Sequence, residues 1–163
     1  MKISDKIEDF KGQGKTFYSF EFFPPKSDYA LDNLYSRIDR MASLQPAYID
    51  ITWGAGGSTA KRTLEMSKTI QKYFGLEVMM HLTCTNMPVS SIKKVLLDAK
   101  KNGLSNILAL RGDPPDGAIE WKNNEKGFNY GIDLVRYIRK EFGDDFFLGV
   151  GGYPDSHQEQ TDF

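Results

Sequence analysis

The chain has one cysteine, Cys84, and two histidines, His81 and His157, among 163 residues. A single cysteine excludes an internal disulfide, and so few soft ligands, far apart in sequence, argue against a zinc-type centre. No metal is expected. Charge of either sign is also not in excess, with 21 Lys and Arg against 22 Asp and Glu. Without a net field, nucleic acid and anionic membrane are poor partners, and a small molecule is the better expectation. No apolar run approaches the roughly 20 residues that span a bilayer, and the opening from Met1 to Phe10 lacks the apolar stretch of a secretory signal. The expected setting is the reducing cytoplasm. Seven prolines and 15 glycines are too few for a low-complexity chain, while 40% hydrophobic residues suffice for the core of about one domain.

Five short segments are rich in aromatic and β-branched residues: Phe17 to Phe23, Ala47 to Trp53, Glu77 to Cys84, Asn106 to Arg111 and Phe146 to Tyr153. Between them, apolar residues recur at helical spacing, as in Leu31, Leu34, Ile38, Met41 and Leu44, or Ile92, Val95, Leu96 and Ala99. A further helix is expected from about Tyr130 to Phe142. Ser58 and Thr59, then Ser90, stand where helix caps are needed, and Gly75, Gly103 and Gly143 where helices should stop. Five strands alternating with four helices imply a parallel sheet with right-handed crossovers.

Two architectures fit that pattern: a doubly wound sheet complete at this length, or an eight-fold βα barrel about five-eighths built. Side chains alternate between strand faces, so parity separates them. Tyr18, Phe20 and Phe22 oppose Ser19, Glu21 and Phe23; Ile49 and Ile51 oppose Asp50 and Thr52; Val78, Met80 and Leu82 oppose His81 and Thr83. Leu108 and Leu110 are set against Ala109 and Arg111, and Leu148 and Val150 against Gly149, Gly151 and Tyr153. One greasy and one small or polar face per strand suits a barrel, whereas a doubly wound sheet should be apolar on both. The first strand-to-helix turn, Phe23-Pro24-Pro25-Lys26-Ser27, also lacks the glycine fingerprint of a dinucleotide-binding unit. The expected fold is α/β, a (βα)8 TIM barrel with about five strands and four helices present.

Polar residues gather at the carboxyl ends of the strands, where barrel enzymes place their sites. Glu21 stands among Tyr18, Phe20, Phe22 and Phe23, a costly place for an ionised carboxylate and a suitable one for a general acid; the structural alternative is an ion pair with a buried arginine such as Arg111. Arg111-Gly112-Asp113 offers a cation for a phosphate or ring carbonyl and an anion for a heterocycle, against the alternative of an internal ion pair. An adhesive reading of that tripeptide is a chance match. Trp53-Gly54-Ala55-Gly56-Gly57-Ser58-Thr59 is either an anion-holding loop or simply a tight turn. His81 is a core histidine or, through the face it shares with Thr83, a site residue. Cys84 reads as a small buried residue rather than a nucleophile, and Tyr130 and Tyr153 either stack on a planar ligand or pack.

Ser19-Phe20-Glu21-Phe22-Phe23-Pro24-Pro25-Lys26, Asp50-Ile51-Thr52-Trp53, His81-Leu82-Thr83-Cys84-Thr85, Leu108 to Pro114, and Gly152-Tyr153-Pro154 followed by His157 together resemble methylenetetrahydrofolate reductase, in its eukaryotic, especially fungal, form. The likeness runs in order over essentially the whole chain. It implies a flavoprotein barrel in which NADPH or NADH reduces FAD, and reduced flavin passes hydride to 5,10-methylenetetrahydrofolate. The product, 5-methyltetrahydrofolate, serves methionine synthesis. By this resemblance Glu21 is the general acid that opens the folate imidazolidine ring, and Asp113 lies near flavin and folate. Thr52, Trp53, His81, Arg111, Gly112, Asp113, Tyr130, Gly131, Tyr153 and His157 fall on FAD-contacting positions.

The family continues for three more βα units and, in eukaryotes, a regulatory domain, so residues 1–163 are expected to form the N-terminal portion of the catalytic barrel. After His157 the family reads Pro-Glu, where this chain has Gln158-Glu159-Gln160. An open five-stranded piece exposes sheet edges, and alone it is expected to be inactive and prone to aggregate. The full-length form is expected to be a homodimer. The rival readings are a non-catalytic truncated relative or ligand-binding module, and a pterin-binding barrel without flavin.

Overall fold

The Ser27 hydroxyl accepts the backbone N–H of Ala30 at 3.2 Å and so begins the first crossover helix immediately after the proline turn. This is a computed structural model, and it describes residues 1–54, 59–113 and 127–154. In chain order the elements are α1 (Ile3–Gly12), β1 (Ser19–Phe22), α2 (Asp28–Ala42), β2 (Tyr48–Ile51), α3 (Ala60–Thr69), β3 (Val78–Thr83), α4 (Val89–Lys101), β4 (Asn106–Leu110), α5 (Gly131–Phe142) and β5 (Phe147–Val150). A π-helical turn, Ile70–Phe74, extends α3 and ends at Gly75, whose φ of 67° is the left-handed conformation that glycine adopts most readily. At α4 the expected Ser90 cap is displaced. The helix already begins at Val89, with Pro88 in the cap position, because proline's fixed φ suits the approach to a first turn.

All five strands are parallel and lie in the order β1-β2-β3-β4-β5. A doubly wound sheet must reverse its strand order, so this sequence of neighbours makes the structure a five-stranded arc of a βα barrel. One apolar cluster joins Ile49, Ile51, Val78, Met80, Leu82, Ile107 and Ala109 from the sheet to Ile38, Leu64, Ile70, Ile92, Leu96, Leu134 and Ile138 from the helices. The sheet members all share one face, which is therefore the convex, helix-covered side. Each fully buried Leu or Ile there contributes about 1.5 to 3 kcal/mol of transfer free energy.

Register corrects the parity assigned to β4. Leu82 pairs with Ala109, and His81 with Leu108, so Ile107 and Ala109 face the helices while Leu108 and Leu110 lie on the concave side with His81 and Thr83. Both faces of this strand are apolar, which is why alternation alone misplaces it. The concave face of β4 is thus greasy, and a Cβ on Gly149 of β5 would come within 2.9 Å of Leu108.

The periodicity of the sequence accounts for α2 to α5 but not for α1, the fifth helix among the described residues. Its first turn docks on the amino end of β4. Asn106, fully buried, accepts the N–H of Ile3 at 2.7 Å and donates to the carbonyl of Met1 at 3.2 Å. The helix thereby covers the end of the sheet opposite the polar carboxyl ends.

Candidate active site at the carboxyl ends of the strands

Glu21 and Asp50 are partners in the parallel register of β1 and β2, and His81 stands two residues beyond Met79, the partner of Asp50 on β3. Three polar side chains from three strands therefore meet on the concave face. His81 Nε2 lies 3.4 Å from Asp50 Oδ1 and 4.0 Å from Glu21 Oε2. Their side chains are 8%, 14% and 52% exposed in the order His81, Asp50, Glu21. Of the aromatic residues expected to wall Glu21, Phe20 and Phe22 pack against the core on the other face. Glu21 instead presents a half-open carboxyl beside an imidazole. Asp50 is the member of this cluster that sequence reasoning missed; its link to His81 spans 31 residues and leaves no local signal.

The loop after β2 is anchored from α3. Thr63 Oγ1 donates to the carbonyl of Thr52 at 2.8 Å, and the N–H of Gly54 donates to Thr59 Oγ1 at 2.7 Å. Thr52 also donates its N–H to Phe22 O at 3.0 Å, which ties the loop back to β1. Thr52 stays near the concave rim, whereas Trp53 is turned into the core cluster and its buried Nε1 has no hydrogen-bond partner among the described residues. Trp53 thus supplies packing beneath the site. Residues 55 to 58 of the glycine-rich loop, and His157, lie outside the described residues.

At the end of β4 the chain turns at Gly112, with φ of 86°. The carbonyl of Arg111 accepts from Thr85 Oγ1 at 2.7 Å, so the loop after β3 holds the loop after β4. Asp113 follows on an exposed turn. The Arg111 guanidinium sits 4.6 Å over the ring of Tyr130, within cation–π range. Asp133 accepts the N–H of Tyr130 at 3.1 Å and so starts α5 there. A Cβ on Gly131 would make only ordinary contacts with the backbone of Ala109 to Arg111, so α5 begins flush against β4. Arg111, Tyr130, Gly131 and Tyr153, four of the residues expected to meet a cofactor, line one hollow of about 370 Å³ with Ala109 and Val150.

The two groupings divide the chemistry. Glu21, Asp50 and His81 can hold and move a proton on the concave face. The hollow at β4 and β5 offers a cation, two tyrosine rings and a helix amino terminus, donors suited to an anionic group joined to a planar ring. Cys84 takes no part as a nucleophile: it is fully buried, and burial pushes its thiol up to about 11.

Sequence comparison agrees with this geometry. The family model described as methylenetetrahydrofolate reductase matches residues 3–163. The chain is 50% identical over 159 residues to methylenetetrahydrofolate reductase (NADH) 1 of Arabidopsis thaliana, covering 98% of this chain and 27% of that protein. It is 50% identical over 163 residues to methylenetetrahydrofolate reductase 2 of Saccharomyces cerevisiae, covering 98% of this chain and 27% of the relative. To the 5,10-methylenetetrahydrofolate reductase of Pectobacterium carotovorum it is 38% identical over 147 residues, covering 90% of this chain and 47% of that protein. The chain thus spans about a quarter of the length of its plant and fungal relatives. With a βα arc, its polar groups at the strand carboxyl ends, and a family match over nearly every residue, the chain belongs to the methylenetetrahydrofolate reductase family.

Proposed function

We propose that residues 1–163 supply the N-terminal part of a catalytic barrel that reduces 5,10-methylenetetrahydrofolate to 5-methyltetrahydrofolate with NAD(P)H, providing methyl groups for methionine synthesis in the cytoplasm. Bound FAD supplies the hydride relay between nicotinamide and folate in a ping-pong sequence. The observation that carries this reading is the convergence of Arg111, Tyr130, Gly131 and Tyr153 on one hollow, from positions spread over more than forty residues. Their chemistry fits a flavin dinucleotide: Arg111 and the start of α5 suit its phosphates, and the tyrosines suit its rings.

Within this reading Glu21 delivers its proton to a nitrogen of the folate five-membered ring. That C–N bond breaks, and the remaining nitrogen holds the one-carbon unit as an iminium able to accept hydride. The half-open position of Glu21 leaves room for substrate above it. Thr52, with its backbone pinned by Thr63, and His81 edge the concave side, while Gly112 allows the turn that places Asp113 at the rim. His157 completes the set of proposed FAD contacts, and the assembled enzyme is proposed to be a homodimer.

The test is to purify the reductase polypeptide that carries this chain, measure visible flavin absorbance after gel filtration, and assay 5-methyltetrahydrofolate formation. Co-eluting flavin and product formation are expected. A colourless protein that binds a pterin would instead favour the flavin-free barrel, and a protein with neither property would be a non-catalytic relative.

A further inference from the structure

Two carboxylates converge on one nitrogen of His81: Asp50 Oδ1 at 3.4 Å and Glu21 Oε2 at 4.0 Å. A lone pair at Nε2 would face the nearer oxygen, that of the Asp50 carboxylate, so Nε2 is taken to carry a proton whether the ring is neutral or cationic. That single N–H cannot serve both carboxylates equally. Asp50 is the nearer acceptor and the more buried, at 14% exposure against 52% for Glu21. A largely buried carboxylate needs a donor, whereas a half-exposed one is served by water or by a ligand.

We propose that Asp50 is a positioning residue that engages the Nε2–H of His81 and thereby leaves the Glu21 carboxyl free to turn to substrate. Without Asp50 the imidazole N–H passes to Glu21, which then holds a fixed acceptor role on the sheet rather than giving a proton above it. The strand register supports this division, since Glu21 and Asp50 are direct partners on adjacent strands and compete for the same diagonal neighbour. Local sequence around Asp50 offers no such hint. The inference rests on the reading of Glu21 as proton donor, and its test separates the two.

The experiment compares Asp50→Ala with the near-isosteric Asp50→Asn in the reductase polypeptide that carries this chain. Two readouts are taken: single-turnover oxidation of reduced flavin by 5,10-methylenetetrahydrofolate, and the imidazole nitrogen chemical shifts of His81, assigned with His81→Gln. Asp50→Ala is expected to slow the folate step about a hundredfold, the scale of a misplaced reacting group. Asp50→Asn, which keeps an acceptor oxygen, is expected to return the rate to within roughly tenfold of the parent. The parent spectrum is expected to show Nε2 protonated. An unimpaired Asp50→Ala, equal losses in both variants, or a parent His81 protonated only at Nδ1 would each overturn the role of Asp50. A parent enzyme with no folate step at all would sink the proposed function instead, and the His81 spectrum would still decide the hydrogen bond.

Discussion

Thr83 and Gly112 are packed so closely that a Cβ on Gly112 would lie 2.9 Å from both Cβ and Cγ2 of Thr83. The glycine also has φ of 86°, where L side chains are strained. Gly112→Ala combines steric overlap and backbone strain, and is expected to cost about 2 to 4 kcal/mol. Urea denaturation checks the stability loss. The same variant moves Arg111 and Asp113 from either side of the turn, so flavin retention on gel filtration should fall with it.

On the proposed function, removing the proton from Glu21 separates the two half-reactions. Glu21→Gln keeps the shape of the side chain but has no acidic proton, so folate reduction is expected to drop by roughly 10² to 10⁴-fold. Reduction of flavin by NAD(P)H needs no such proton and should proceed at close to the parent rate. Stopped-flow measurement of each half-reaction tests this, and near-normal folate turnover would remove Glu21 from the mechanism.

Asn106 is fully buried and ties the amino end of β4 to Met1 and Ile3. Asn106→Leu fills a similar volume but takes the acceptor from the Ile3 N–H, while Ser105 Oγ still donates to the Met1 carbonyl at 3.2 Å, so the cost is expected to be about 1 to 3 kcal/mol. Amide exchange should show lost protection in α1 while β2 and β3 remain protected. Equal protection in α1 of both proteins would show that the hydrogen bonds do not hold the helix.

Cys84 gives a pH signature with a definite sign. Burial raises its thiol from 9.0 to about 11, so between those values the folded state keeps a proton that the unfolded chain has released. Its stabilising contribution is complete below about pH 9 and declines as the pH rises toward 11, by roughly 2 kcal/mol at most. The difference in urea midpoint between parent and Cys84→Ala should shrink over that interval. A thiol reagent at neutral pH should leave the native protein unmodified.

The barrel was legible because β1 to β3 alternate cleanly, as Ile49 and Ile51 against Asp50 show, and because the apolar positions of α2 to α5 recur at helical spacing. β4 was not, since Ile107, Leu108, Ala109 and Leu110 are all apolar and only pairing with Leu82 settles which face each takes. The position of Glu21 was legible but its surroundings were not: aromatic neighbours in sequence alternate to the far side of a strand. Asp50 and Thr63 gained their roles from contacts with distant or adjoining elements, which composition and motif spacing do not encode. The hollow at Arg111, by contrast, followed from residues already notable in the sequence.

Because each strand pairs with the one made just before it, the arc can grow in the order of synthesis, each βα unit adding to an edge already present. Each pairing is closed across a single helical crossover, the nearest connection that parallel neighbours allow. The bond from Ile3 to Asn106 departs from this rule, joining residues 103 apart. The helix α1 must therefore wait for the fourth strand before it can dock, so its docking reports that β4 has been reached.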